Sequence, residues 1–228
     1  MDFNLVDVIQ NSIPQINQDK KESDSEKLIS ISEFCNRISS SKGINQSILL
    51  VEIVRAYLQN KFSITIKTDK EQVDNVFITA PSKTILLEPN FLFRFIEHLP
   101  EIIYLIDAIE GPANRLKGLT ILMKEFENRN LFSFLNQAEI DGLEKFCMLT
   151  IIHLYLKGEV CPSIQEVCKF LPKSKYFHFV NRIENDTCAL IHQNLIKMSS
   201  DNFRFEKGIK IQSRGIALMC NESISLIN

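Results

Sequence analysis

The spacing of hydrophobic positions changes several times along the chain, and each change predicts an element. Apolar and amide residues alternate over 2–17, with a short amphipathic helix over 3–9 and an interruption at Pro14. Residues 18–27 hold no large apolar side chain and read as a solvated linker. From Ser30 or Ser32 a capped helix carries Phe34, Cys35 and Ile38 towards Gly43, and Asn45 caps a second helix with a broad apolar face from Ile48 to Leu58. The period then becomes two. Phe62, Ile64 and Ile66 alternate with polar residues, and 76–79 and 84–87 form further strands joined through Pro81-Ser82-Lys83.

Helical spacing returns at Phe91. Pro100 ends or kinks that helix, and the apolar run 102–109 must be buried against something. Gly111-Pro112 starts another helix to about Asn128, and a short one follows over 131–137. Over 141–157 the apolar residues Leu143, Phe146, Cys147, Thr150, Ile151, Leu154 and Tyr155 keep strict helical spacing up to Gly158, a natural C-cap. A helix then opens at Pro162-Ser163 and stops at Pro172. A longer one, starting at Ser174 or nearer Phe179, ends at Leu195-Ile196 with Phe177, Val180, Ile183, Thr187, Leu190 and Ile191 facing inward. A hairpin follows: strands at 196–199 and 203–205, a bend at Gly208, and extended chain to Ser213-Arg214-Gly215.

The pattern predicts a mainly α chain with small β elements, an α+β fold. Residues 1–27 are an arm and linker, and 28–137 an α+β and helical region for packing or dimerisation. Residues 138–222 form a C-terminal domain. The helix-helix-strands unit near the N-terminus is either an effector-binding unit or a second, degenerate copy of the C-terminal arrangement.

Composition narrows the functional classes. Length and a 45% hydrophobic content suit real cores, and with Trp absent the 16 Phe residues must supply the large pieces. The formal charge of −2 gives no global basic field, but 173–214 hold eight Lys or Arg against four Asp or Glu, a local +4. The six cysteines show no C-x-x-C pair and read as free thiols of a reducing compartment. No basic leader precedes an apolar core at the N-terminus, and no apolar run reaches the roughly 18 residues of a membrane span. A cytoplasmic protein is expected, nucleoid-associated if bacterial.

The run Leu190-x-x-x-Asn194-Leu195-Ile196, a wing, then Ile209-x-Ile211-x-Ser213-Arg214-Gly215 resembles the end of a MarR-type winged helix. That superfamily closes its recognition helix with Leu-x-x-x-Gly-Leu-Ile and returns on Leu-Thr-x-Lys-Gly. Here Asn194 stands in for the glycine, and Asn tolerates the left-handed conformation. The resemblance covers about 80 residues and implies a winged helix-turn-helix of 138–222 with a recognition helix in the major groove. Lys175, His178, Asn181, Arg182 and Asn185 would then face bases, and Lys197, Arg204, Lys207 and Lys210 phosphates.

No catalytic motif emerges: the four histidines are scattered, and Asp107 with Glu110 mark the wet face of an apolar helix. No enzyme activity, metal or cofactor is expected. Two readings follow. One is a dimeric, sequence-specific binder of double-stranded DNA, a transcription regulator or a replication or partition factor. The other is a non-enzymatic accessory subunit of a large protein assembly, similar in element order to the winged-helix subunits of SMC–kleisin complexes.

Overall fold

The computed structural model describes residues 29–31, 35, 45–60, 62–69, 72–79, 91–126, 130–137, 140–200 and 207–224. The expected N-terminal arm, the linker, the core positions Phe34 and Ile38, the strands over 84–87 and 203–205, and Arg204 lie outside them.

The chain divides into two compact units, Met1–Phe91 with Pro100–Ile121, and Leu92–Leu99 with Leu122–Asn228. In the first, helix α1 (Gln46–Leu58) starts where Asn45 accepts the Ser47 N–H at 2.8 Å. It buries Leu49, Leu50, Val51, Ile53, Val54, Ala56 and Leu58, the broad apolar face expected. A three-stranded antiparallel sheet has the order β1 (Ile29–Ser30), β3 (Gln72–Thr79), β2 (Ser63–Asp69). Pairing of Ile29 with Ile78 makes Ser30 part of a strand, where the sequence suggested a helix cap, while Ile31 and Cys35 are helical and buried. Burial pushes the Cys35 thiol up to about 12, so it stays a neutral, inert thiol.

Helix α2 (Phe91–Glu97) ends before Pro100, which falls in the first turn of α3 (Leu99–Glu110), as its missing N–H requires. The apolar run is buried through Ile102, Ile103, Leu105 and Ile106. Asp107 and Glu110 are both paired: Asp107 accepts Arg115 Nε at 2.6 Å and Nη2 at 2.5 Å, and Glu110 accepts the Ser47 hydroxyl at 3.2 Å. Gly111 turns the chain at φ 85°, a 3-10 turn follows over Pro112–Asn114, and α4 runs Arg115–Glu125.

The second unit is built around α6 (Gly142–Leu156). Every residue from Leu143 to His153 is buried, so this helix is enclosed rather than amphipathic. Three of its buried polar side chains are matched. Thr150 Oγ1 donates to the Phe146 carbonyl at 3.0 Å, and Lys145 Nζ to Asn136 Oδ1 at 3.0 Å. His153 Nδ1 lies 2.7 Å from the Ile96 carbonyl. Phenylalanines fill the core as the composition required: Phe95 meets Phe126 and Phe132 edge-on, with centroids 6.3 and 5.1 Å away. Phe132 lies in α5 (Asn130–Gln137).

Candidate nucleic-acid interface

Beyond α6 the order is α7 (Ile164–Val167), α8 (Lys173–Glu184), α9 (Ala189–His192), strands β4 (Ile196–Ser200) and β5 (Lys207–Ile211), and α10 (Ser213–Ile224). A capping box opens α7: Ser163 Oγ accepts the Glu166 N–H, and Glu166 Oε2 accepts the Ser163 N–H at 2.7 Å. β4 and β5 pair antiparallel from Ile196–Ile211 to Ser200–Lys207. Three helices followed by a short antiparallel hairpin are consistent with a winged helix-turn-helix arrangement.

Helix ends in this region share one device. After α6, α8 and α9 a residue with positive φ (Gly158 95°, Asp186 54°, Asn194 54°) reverses the chain. The next N–H then bonds back five residues, as in Glu159 to Leu154, Thr187 to Arg182 and Leu195 to Leu190. Asn194 thus takes the left-handed position expected of it.

The Asp186 turn overturns one expectation. The long helix to Leu195 is two helices, and its inward face is rotated. Phe179 is fully buried, while Phe177 is 67% exposed and Thr187 is exposed. The helix starts directly after Pro172, and its phase is marked by buried Phe179 and by Arg182, which bonds to Glu144 of α6. The apolar count alone could not separate Phe177 from Phe179.

The hairpin also differs. Gly208 was expected as a bend but lies inside β5, paired with Ser199 and bridged to Ser163. A Cβ there would collide with Cys161 Sγ and stand 3.1 Å from the Cys161 carbonyl oxygen. Gly208→Ala should therefore lower stability by about 1–3 kcal/mol in urea unfolding. The added Cys161→Ala should recover part of that loss; no recovery would mean the thiol is not the obstacle. Ser213, expected to close the hairpin as extended chain, instead begins α10.

The residues proposed from sequence fall into three groups. Lys175, His178 and Asn181 lie exposed on α8, Asn185 caps its C-terminal end, and Lys197 is exposed on β4 with Lys210 half-buried on β5. Asn185 Nδ2 donates to Asn181 Oδ1 at 2.5 Å. Arg182 points the other way, 2.6 Å from Asp141 Oδ2 and 3.0 Å from Glu144 Oε1. The same Glu144 oxygen accepts the Ala189 N–H at 3.2 Å, tying α6 to both α8 and α9. Burial pushes the Asp141 carboxyl up, but bonds from Arg182 and the Glu144 N–H outweigh it and hold it below the ordinary carboxylate range. The third group, Arg204 and the side chain of Lys207, lies outside the described residues.

Two exposed cations had not been singled out for this surface. Lys169 follows α7, its Nζ 6.0 Å from the Phe170 ring centre. Arg214 donates to the Gln193 carbonyl at 2.9 Å and lies 5.1 Å above the Phe134 ring. For Lys169 the basic side chain was the only sequence signal, whereas Arg214 lies in the Ser213-Arg214-Gly215 run of the resemblance.

Buried thiols line the inner side: Cys147, Cys168 and Cys188 are free, and burial raises the pKa of Cys147 and Cys188. Among the described residues no group of three or more His, Cys, Asp or Glu is placed to hold a metal ion, and no helix is long and apolar enough to cross a membrane. No family model matches the chain, and no curated protein or solved structure matches it significantly.

Proposed function

We propose that the protein is a non-enzymatic, sequence-specific binder of double-stranded DNA, acting as a dimer through a MarR-like C-terminal winged helix. The observation that carries this reading is the outer face of α8. His178 and Asn181 stand exposed there, while buried Phe179 and the ion-paired Arg182 occupy the opposite side and Lys175 is exposed at the start of the helix. Helix α8 follows α7 and a turn, the order in which a recognition helix follows its partner. Lys197 and Lys210, opposite each other in the hairpin register, supply positive charge for phosphates. On this reading the N-terminal unit binds an effector or is a second, degenerate winged helix.

Binding of the full-length protein to duplex DNA, titrated by fluorescence anisotropy at several salt concentrations, tests the proposal. Affinity should fall steeply with salt. Lys175→Ala with Lys210→Ala should weaken binding to all sequences alike and reduce the salt slope by about two. No duplex binding at low salt would sink it.

A second reading, the accessory subunit of a large assembly, is supported by a separate apolar spot. Leu156 is 40% and Val160 62% exposed around the end of α6, and Arg182 is held on carboxylates instead of facing outward. Stoichiometric recovery of one large partner with the native protein would favour it; a lone dimer would count against it.

A further inference from the structure

The outer face of α8 holds a feature that phosphate contacts do not use. Phe177 and Asn181 lie four residues apart, hence on one side of the helix. With His178, Val180 and Glu184 they line an open hollow of about 380 Å³. Its lining combines an aromatic ring that is 67% exposed, half-buried Val180 and the Asn181 amide. The Glu184 carboxylate among the lining residues disfavours a phosphate there. An uncharged base edge therefore suits the hollow better than the backbone does.

We infer that Phe177 and Asn181 read a T·A base pair in the major groove. Phe177 with Val180 receives the thymine C5-methyl group, and Asn181 pairs bidentately with adenine N6 and N7. A T·A pair presents these groups along one major-groove edge, adenine N7 and N6 at one end and the thymine methyl at the other, with thymine O4 between. Asn185 prepares the amide for this. By donating to Asn181 Oδ1 it fixes that oxygen as an acceptor. The Nδ2 hydrogens are left to donate to N7, and the second lone pair of Oδ1 accepts from N6. Phe177 is thus assigned a specificity role that its exposure permits.

This inference rests on the duplex-DNA reading, and the experiment separates the two. Full-length protein selects sites from a duplex library with a randomised core, and each thymine of the selected site is then replaced by deoxyuridine, which lacks only the methyl. One replacement should weaken binding about fourfold, the value of one buried methyl. Phe177→Ala should bind the thymine and deoxyuridine duplexes alike, at the weaker affinity and with an unchanged melting temperature. Asn181→Ala should lose about tenfold at the paired adenine and relax discrimination there. Binding with no thymine-to-deoxyuridine difference, or with the full difference kept in Phe177→Ala, overturns the inference and leaves the DNA reading standing. Binding without any enriched site overturns the inference and also the sequence specificity of that reading, leaving duplex binding alone. No duplex binding overturns both. Loss of a protein partner in Phe177→Ala, with DNA discrimination intact, would assign the hollow to protein docking instead.

Discussion

Arg182→Met should lower the unfolding free energy by about 2–3 kcal/mol and the midpoint of thermal unfolding by about 5–10 °C. Glu144 is almost fully buried, and its Oε1 is held by the guanidinium and the Ala189 N–H, while its Oε2 has no hydrogen-bond partner. Removing Arg182 leaves a buried carboxylate short of its counter-charge. Breaking such a pair costs about 3–5 kcal/mol when both ions are buried. The guanidinium is 33% exposed, so solvent already screens part of the attraction, hence the lower figure. Glu144→Gln added to Arg182→Met should recover part of the loss, since the amide needs no counter-charge. A double variant no more stable than the single would show that the arginine acts through its packed stem alone. The pH dependence provides a second check. The Asp141 carboxyl titrates below its ordinary value of 3.8 in the folded state. Its contribution is therefore complete above the ordinary carboxylate range and fades as pH falls through the lowered folded value. The stability gap between wild type and Arg182→Met should narrow on acidification below about pH 4. A gap constant from pH 7 to pH 3 would contradict the pairing.

Phe179→Ala should destabilise by about 3–4 kcal/mol, whereas Phe177→Ala should change stability by no more than about 0.5 kcal/mol. The two residues differ only in which side of α8 they occupy. Phe179 is wholly buried and its truncation leaves a cavity; Phe177 is mostly in solvent, its ring in a T-shaped contact with Tyr176 at 5.4 Å. Urea unfolding of both variants measures the helix phase directly. Equal losses, or a larger loss at Phe177, would place the helix in the orientation that apolar spacing alone suggests.

That orientation shows where sequence reading succeeds and where it stops. Helix ends were legible because their chemistry is local: Asn45 and Asp141 cap their own helices, Gly158 reverses the chain, and Asn194 takes the glycine position. The burial of 102–109 was equally legible, since a run without polar relief has no solvent face to offer. What failed was non-local. Ser30 looks like a cap until Phe77 is seen opposite it. Gly208 looks like a bend until Cys161 is seen beside it. Asp186 with positive φ divides a segment whose spacing otherwise continues, because aspartate adopts that conformation too rarely to signal it. Arg182 was legible as a basic residue on α8, but its attachment to two carboxylates depends on a helix about 40 positions earlier.

The composition of the second unit bears on how this sequence can be inherited. Leu92–Leu99 belongs to it although Pro100–Ile121 does not, so the chain leaves the unit and returns. Phe95, from that early segment, meets Phe126 and Phe132, and the Ile96 carbonyl is the partner of His153 in α6. A gene fragment beginning after α5 would encode every element of the winged arrangement. It would strip Phe95, Phe126 and Phe132 from the core and orphan a buried imidazole. The C-terminal region is therefore not a portable cassette. Fusion, exchange or tagging must respect a boundary near residue 91, and recombination between 100 and 121 would break the second unit as well as the first.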